Sequence, residues 1–427
     1  MQETKDNIVS SASYADTKPH YALLDGLRGA AALMVVWYHV FEGFAFAQGT
    51  GIETFNHGHI GVDFFFMLSG FVISYAYDDR WRKPISQRDN ETTSQQVQGQ
   101  SMSLKSFFKR RLIRLHPMLV LGAVIGLICF FIQGGVKWDG TQTPIHWVLI
   151  AFVLTLFFIP AYPGAQYDIR GNGEMFPLNG PSWSLFFEYI GNILYALFIR
   201  RLSNKMLTFL TGTLAILWIW FVAFDISGYD MIGIGWTLDT VNFLGGLLRM
   251  MFPFSLGMLM ARRFMSQRVN KSTSQQVETQ SSTANSQQSK FLASNIFWIA
   301  IIVMFALFSV PYFPKTSNIS INGIYELFCI MLVFPFIVWF AASNTTMGRF
   351  STRVCTFLGD ISYPLYIVHY PVMYVFYAWL IDNKYYTLGE TWQVVVLVTA
   401  INIALAYLCL KLYDEPVRRW LTKKFMK

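Results

Sequence analysis

Four groups of polar residues lie in or beside strongly apolar sequence, and their types are those of proton transfer and anion binding. His39 sits inside the apolar run 24–46, eleven residues after Arg28. Eleven residues is close to three helical turns, so on a helix the two side chains share a face, ~16 Å apart along the axis. An imidazole placed there can serve as general base, because histidine ordinarily titrates near neutrality. A lone buried histidine is more often hydrogen-bonded to a neighbouring helix, so its companions matter. Asp63 and Ser69 stand among the aromatics of Gly61-Val62-Asp63-Phe64-Phe65-Phe66-Met67-Leu68-Ser69-Gly70-Phe71. Asp63 either orients an imidazole, pairs with a guanidinium, or lies at the outer boundary of its run. Arg111 and Arg114 are three apart and project from one side of a helix, where guanidinium forks suit phosphate oxygens; arginines beside an apolar run are also ordinary membrane anchors. Trp183, Ser184 and Glu188 open another run, with Ser184 and Glu188 four apart on one helical face. A glutamate about a turn into an apolar run calls for a partner.

These groups must be positioned by membrane helices. Of 427 residues, 54% are hydrophobic and only 14% are charged, against about a quarter charged in soluble domains. A soluble core could not bury that much apolar surface. Aromatics make up 17% of the chain, which suits belts at two lipid interfaces. Runs near 24–46, 59–76, 115–132, 183–199, 206–224, 238–260, 296–310, 324–342, 361–381 and 394–412 approach the ~20 helical residues needed to cross a bilayer. The fold class is therefore all-α, a polytopic transmembrane helix bundle of about ten spans. An eleventh run, 145–159, is short. Counted as a full crossing it would put the Arg200, Arg201 and Lys205 turn outside, against the positive-inside bias. Reading it as tilted, broken or re-entrant keeps ten spans and both termini cytoplasmic. Within such spans an ionisable side chain costs roughly 2.5–3.5 kcal/mol, so one that persists is usually paired or functional.

The domain organisation follows. Residues 1–22 form a polar cytoplasmic N-terminus, 23–415 one membrane domain, and 416–427 a basic cytoplasmic tail. The first apolar run lacks a small-residue cleavage site and reads as a retained span, not a signal peptide. Residues 87–103 and 266–289 are rich in Ser, Thr and Gln and read as flexible cytoplasmic loops. The net charge of +8 comes from basic residues clustered beside apolar runs, so nucleic acid is not an expected partner. The four cysteines have no Cys-x-x-Cys spacing, so neither a disulfide framework nor a zinc site is expected. His57 and His59 lie in a polar turn without an evident further ligand, and no metal is expected.

Taken in order, Leu24-Asp25-Gly26-Leu27-Arg28-Gly29 with His39, Gly61-Val62-Asp63-Phe64-Phe65-Phe66 with Leu68-Ser69-Gly70-Phe71, Arg111-x-x-Arg114-x-x-Pro117, Trp183-Ser184 with Glu188, and Ser362-Tyr363-Pro364-Leu365-Tyr366-x-x-His369 resemble the acyltransferase-3 family of membrane acyltransferases. The resemblance implies a roughly ten-span domain that takes acyl-CoA, by default acetyl-CoA, from the cytoplasm and modifies a cell-surface or exported carbohydrate or glycolipid, in the bacterial inner membrane. It implies His39 as the catalytic residue, Arg111 and Arg114 as donor-binding, and Ser184 with Glu188 as a further functional motif. No prosthetic group is expected; the partners are acyl-CoA, the carbohydrate acceptor and membrane lipid. Two departures stand out. His116 occupies the place beside Pro117 where tyrosine is commoner, and the chain stops soon after its last span, so the soluble hydrolase-like domain of some relatives is not expected.

On this reading Arg28, Arg111 and Arg114 hold the donor phosphates while the pantetheine arm reaches toward His39. His39 takes the acceptor hydroxyl's proton as the oxygen attacks the thioester, with a covalent acyl-histidine as the variant. Glu188 or Asp63 stabilises the imidazolium, as a triad carboxylate does. Ser69, Trp183, Ser184, Tyr366 and His369 are further cavity candidates, His369 being equally suited to a structural hydrogen bond. The rival class is a transporter or exporter of a glycan, which also needs intramembrane charges. The chain shows no paired halves with matching interrupted spans.

Overall fold

A computed structural model describes residues 21–49, 56–81, 102–275, 284–315, 318–343 and 348–426, with side chains for all of these except 268–275 and 284–292. The polar segment before residue 21, nearly all of the 87–103 loop and the central part of the 266–289 loop lie outside the described residues. In lipid a backbone can satisfy its polar groups only internally, and the described chain is helical with three isolated β-bridges between loops. The helices are α1 (Ala22–Gln48), α2 (Gly61–Tyr77), α3 (Leu104–Ile132), α4 (Ile145–Leu156), α5 (Ser182–Leu197), α6 (Asn204–Ala223), α7 (Thr240–Gln275), α8 (Ala284–Phe308), α9 (Ile321–Phe328), α10 (Phe334–Ser343), α11 (Arg349–Asn383), α12 (Leu388–Cys409) and α13 (Glu415–Phe425). Widened turns with i→i+5 hydrogen bonding, at Cys329–Val333 and Leu410–Asp414, carry α9 into α10 and α12 into α13. The basic segment after residue 415 is therefore helical, and Lys109 Nζ donates to the carbonyl of Phe425.

Two tightly crossed helix pairs form the frame: α1 runs along α11, and α2 along α7. Small residues allow both approaches, as is usual where lipid removes the hydrophobic drive for association. A Cβ on Gly29 would lie 2.2 Å from the carbonyl oxygen of Leu358, and one on Gly70 would lie 1.9 Å from that of Phe254. Backbone cannot move aside as a side chain can. Gly70→Ala should therefore destabilise the protein by at least about 1–3 kcal/mol, read as a lower Tm in detergent; an unchanged Tm would mean that α2 and α7 have room to separate.

The helices run between two chemically different ends. One is basic: Arg262, in the second half of α7, donates to Asp78 after α2 and to the carbonyl of Leu202 before α6, while Arg28 and Arg418 border one cavity there. The other end is capped by the loops 133–144, 157–181 and 224–239. α4 does not cross. Trp138 and Thr143, before it, bond to Arg170 and Ile169, after it, so the chain leaves and returns at the same end. Its 12 residues would reach only ~18 Å. Nine helical segments of the described residues are long and apolar enough to span a bilayer. α8 connects the two ends as well, from Ser294, which accepts from Gly348 N, to the loop in which Tyr312 meets His59. With that path, ten helical segments of the described residues connect the two ends, and α1 begins and α13 ends at the basic end.

Candidate active site

Within the described residues a cavity lies toward each end of the bundle. The basic-end cavity, about 890 Å³, is bordered by Arg28, Ser69, Arg111, Arg114, Ser184 and Glu188. The loop-end cavity, about 400 Å³, is bordered by His39, Glu42, Trp183, Glu174, Tyr370 and Arg249. Val62 and Tyr366 line both and form their common wall.

His39 projects from α1 with Nδ1 2.6 Å from Oε2 of Glu42, one helical turn onward. The same carboxylate oxygen accepts hydrogen bonds from Tyr377 at 2.8 Å and Tyr370 at 3.1 Å, both on α11. Tyr377 is also 2.7 Å from the carbonyl of His39, so its single hydrogen is shared between two acceptors. A carboxylate on Nδ1 favours the tautomer with the proton there and leaves Nε2 basic. Behind His39 lies the fully buried His369, its ring centre 5.2 Å away. His369 Nδ1 donates to the carbonyl of Leu365 at 3.0 Å, which leaves its Nε2 without a partner.

The assignment of Asp63 or Glu188 to the imidazole of His39 is corrected: the carboxylate that meets it is Glu42. Asp63 is taken by Arg249 of α7, whose Nη2 reaches it at 2.7 Å and whose Nε lies 3.0 and 3.2 Å from its two oxygens. Arg249 also donates to the carbonyls of Ile234 and His59 and lies over the ring of Trp183. Of the roles open to Asp63, pairing with a guanidinium is the one realised. Glu188 sits in the other cavity, where Oε1 accepts from Ser69 at 2.7 Å and Arg111 at 2.9 Å. It has its partner, but that partner is one of the two arginines expected at the donor phosphates. Arg28 is likewise engaged, with Asp25 at 3.0 Å, Ser362 at 2.8 Å and the carbonyl of Gly359. In the common wall, Ser184 and Tyr366 share a 2.6 Å hydrogen bond next to the carbonyl of Pro181.

Sequence reasoning missed Glu42, Arg249 and Glu326. Glu42 follows His39 by three residues, a helical-face spacing, but near the end of its run it resembles an interfacial carboxylate. Arg249 lies deep inside the run 238–260 and could have been matched to Asp63 as an intramembrane charge pair. Glu326 gathers the turn histidines, with Oε1 2.8 Å from His57 Nδ1 and 3.1 Å from His59 Nε2, while Oε2 accepts from Ile232 N. Among the described residues no group of three or more His, Cys, Asp or Glu side chains is arranged to hold a metal ion. Loop residues complete the site. Arg170 is buried, its guanidinium 3.4 Å from the centre of the Tyr374 ring, and donates to Gln133 and to the carbonyl of Pro177. Glu174 accepts from Tyr374. Burial pushes its carboxyl up to about 7, outweighing the opposing effects of Arg170 and Tyr374.

An integral, multi-pass membrane protein with a histidine-centred polar site is thus defined by fold and geometry. Comparison with known sequences identifies the class: the acyltransferase-domain profile of the acyltransferase-3 family matches residues 21–411, and the chain belongs to that family. A Rhizobium radiobacter protein described as protein 2 in the picA locus is 30% identical over 197 residues, 43% of this chain and 85% of that one. The peptidoglycan O-acetyltransferase OatA of Listeria monocytogenes is 34% identical over 105 residues, 25% of this chain and 13% of its own. A putative O-acetyltransferase of Staphylococcus aureus is 23% identical over 414 residues, 93% of this chain and 57% of its own. The chain thus spans little of the Listeria enzyme and somewhat over half of the staphylococcal protein. No solved structure matches it.

Proposed function

We propose that the protein transfers an acyl group, acetyl by default, from acyl-CoA to a hydroxyl of a cell-surface or exported carbohydrate, in the bacterial inner membrane with its basic end in the cytoplasm. The observation that carries this reading is the His39–Glu42 pair at the edge of a cavity that shares a wall with a second, cationic one. The donor enters at the basic end and its thioester reaches the wall at Val62 and Tyr366. The acceptor hydroxyl gives its proton to His39 Nε2 as its oxygen attacks the thioester carbon. The C–S bond of the tetrahedral intermediate breaks, and the leaving thiolate recovers the proton from the imidazolium. Glu42 stabilises that cation while it exists. The relatives named as O-acetyltransferases support oxygen as the acceptor atom and acetyl as the group.

The test is reconstitution in proteoliposomes with acetyl-labelled acetyl-CoA and a glycan acceptor. Labelled glycan is expected. Glycan movement across the bilayer without label transfer would instead establish the transporter reading.

On this reading the donor contacts shift to other arginines. Arg111 is committed to Glu188, Arg418 to Asp414 at 2.8 Å, and Lys411 to Glu415. Arg114 and Arg419 border the same cavity, and no carboxylate of the described residues pairs with either. They are the cations left for phosphate. Replacing each by Gln should raise the donor KM about tenfold and leave kcat and acceptor KM unchanged, measured by steady-state kinetics at fixed ionic strength. An unchanged donor KM in the double variant would move the phosphates elsewhere.

A further inference from the structure

We propose that Glu174, on the 157–181 loop, is the second hydrogen-bonding arm of the acceptor site: it selects an uncharged pyranoside and sets which hydroxyl faces His39. This rests on the reading of the loop-end cavity as the place where a carbohydrate acceptor is acylated. Glu174 lines that cavity together with His39 and Glu42. Two tyrosines of α11, one turn apart with ring centres separated by 4.5 Å, hold the two carboxylates: Tyr370 donates to Glu42 and Tyr374 to Glu174. A ligand lying across these rings would meet one carboxylate serving the base and another placed apart from it.

The arm is built rather than incidental. Glu174 is 6% exposed although it lies in a loop. A β-bridge to Thr237 and the hydrogen bond from Met175 N to the carbonyl of Trp236 fix its backbone. Arg170, against the face of Tyr374, braces the tyrosine, and no ion pair between Arg170 and Glu174 forms. With its carboxyl pushed up to about 7, Glu174 exists in both protonation states at neutral pH, so it can donate to or accept from a hydroxyl.

The remaining lining determines the ligand class. Trp138, Trp183 and Trp236 join the tyrosines, offering flat apolar faces with polar edges, which suit the C–H faces and hydroxyl rim of a pyranose. Arg249 is the lining arginine, and Asp63 already holds it through both carboxylate oxygens. An acceptor carrying its own carboxylate would meet Glu42 and Glu174 without a free guanidinium to balance it.

The experiment compares wild type, Glu174→Ala, Glu174→Gln and Tyr374→Phe with a neutral alkyl pyranoside and its uronate counterpart. Readouts are acceptor and donor KM, kcat, product regiochemistry by NMR, and donor-free binding from quenching of tryptophan fluorescence. Glu174→Ala should raise the acceptor KM and weaken quenching about tenfold, leave the donor KM unchanged and spread the product over several hydroxyls. Glu174→Gln should keep neutral binding within about twofold while the uronate is tolerated better, as expected when a like charge is removed. Should Glu174→Ala fail to fold, Tyr374→Phe frees the carboxylate while keeping the ring, and should loosen regiochemistry alone. Unchanged acceptor KM and regiochemistry in the folded variants, or a wild-type preference for the uronate, would overturn the proposal. Glu174-dependent quenching in a wild type that transfers no label would leave the arm standing and remove the acyl-transfer reading; normal transfer indifferent to Glu174 would do the reverse.

Discussion

Replacing His39 by Ala or Gln should lower kcat for acyl transfer by about 10²–10⁴-fold, with the donor KM unchanged within a few-fold. The effect is large because His39 borders the cavity with a carboxylate on one ring nitrogen, whereas His59, which also lines it, is held on one nitrogen by Glu326 and on the other by Tyr312. The unchanged donor KM follows from the separation of the cavities: the cationic side chains border the basic-end cavity, across the wall formed by Val62 and Tyr366. His369 supplies the internal control. Its Nε2 is also unprotonated, because Nδ1 donates to the carbonyl of Leu365, but it is buried behind His39 and does not line either cavity. His369→Ala should therefore cost far less than His39→Ala, acting through the packing of the His39 ring. The two variants are compared in single-turnover label transfer, with Tm confirming that each folds. Full activity in His39→Ala together with loss in His369→Ala would transfer the role of base to His369.

The architecture was legible in sequence because a bilayer leaves few choices: apolar runs of about the right length must be helices. For the short run 145–159 charge favours a broken or re-entrant segment over a full crossing, because that keeps the turn at Arg200 and Arg201 with the other cationic segments, and the chain leaves and returns at one end there. Chemistry was legible as a set of residue types but not as pairings. Asp63, Glu188 and His39 were all visible as costly intramembrane groups, yet which carboxylate meets the imidazole depends on how α1, α2, α5, α7 and α11 cross. That crossing is set by glycines such as Gly29 and Gly70 facing backbone carbonyls, and no periodicity within one helix reveals the partner helix. The local pairing of His39 with Glu42 was available from spacing alone. Its carboxylate was overlooked because it lies nearer the end of the run. Loop residues were harder still: Arg170 and Glu174 occur in polar sequence with no pattern, and only the return of the 157–181 loop over the bundle brings them to the cavity.

That local pairing makes the second large prediction, on Glu42→Gln. The substitution keeps the shape of the side chain and can still accept from Tyr370 and Tyr377. It removes the negative charge that stabilises the imidazolium, and if the amide turns its NH₂ toward Nδ1 it forces the proton onto Nε2, the nitrogen that must be basic. Loss of the orienting carboxylate by that route costs up to about 10⁴-fold in a serine-protease triad. Here, where two tyrosines also hold the carboxylate, kcat should fall about 10²–10⁴-fold. Tyr370→Phe and Tyr377→Phe each remove one of the hydroxyls donating to Glu42 and leave its charge, and should lower kcat by no more than about tenfold. Residues that act as a unit do not add. The double variant His39→Ala with Glu42→Gln should therefore be no slower than His39→Ala alone, whereas a multiplicative loss would mean that Glu42 acts on the substrate independently of the histidine. A Glu42→Gln protein that keeps wild-type kcat with an intact fold would reduce the carboxylate to a packing role and leave His39 without an orienting partner.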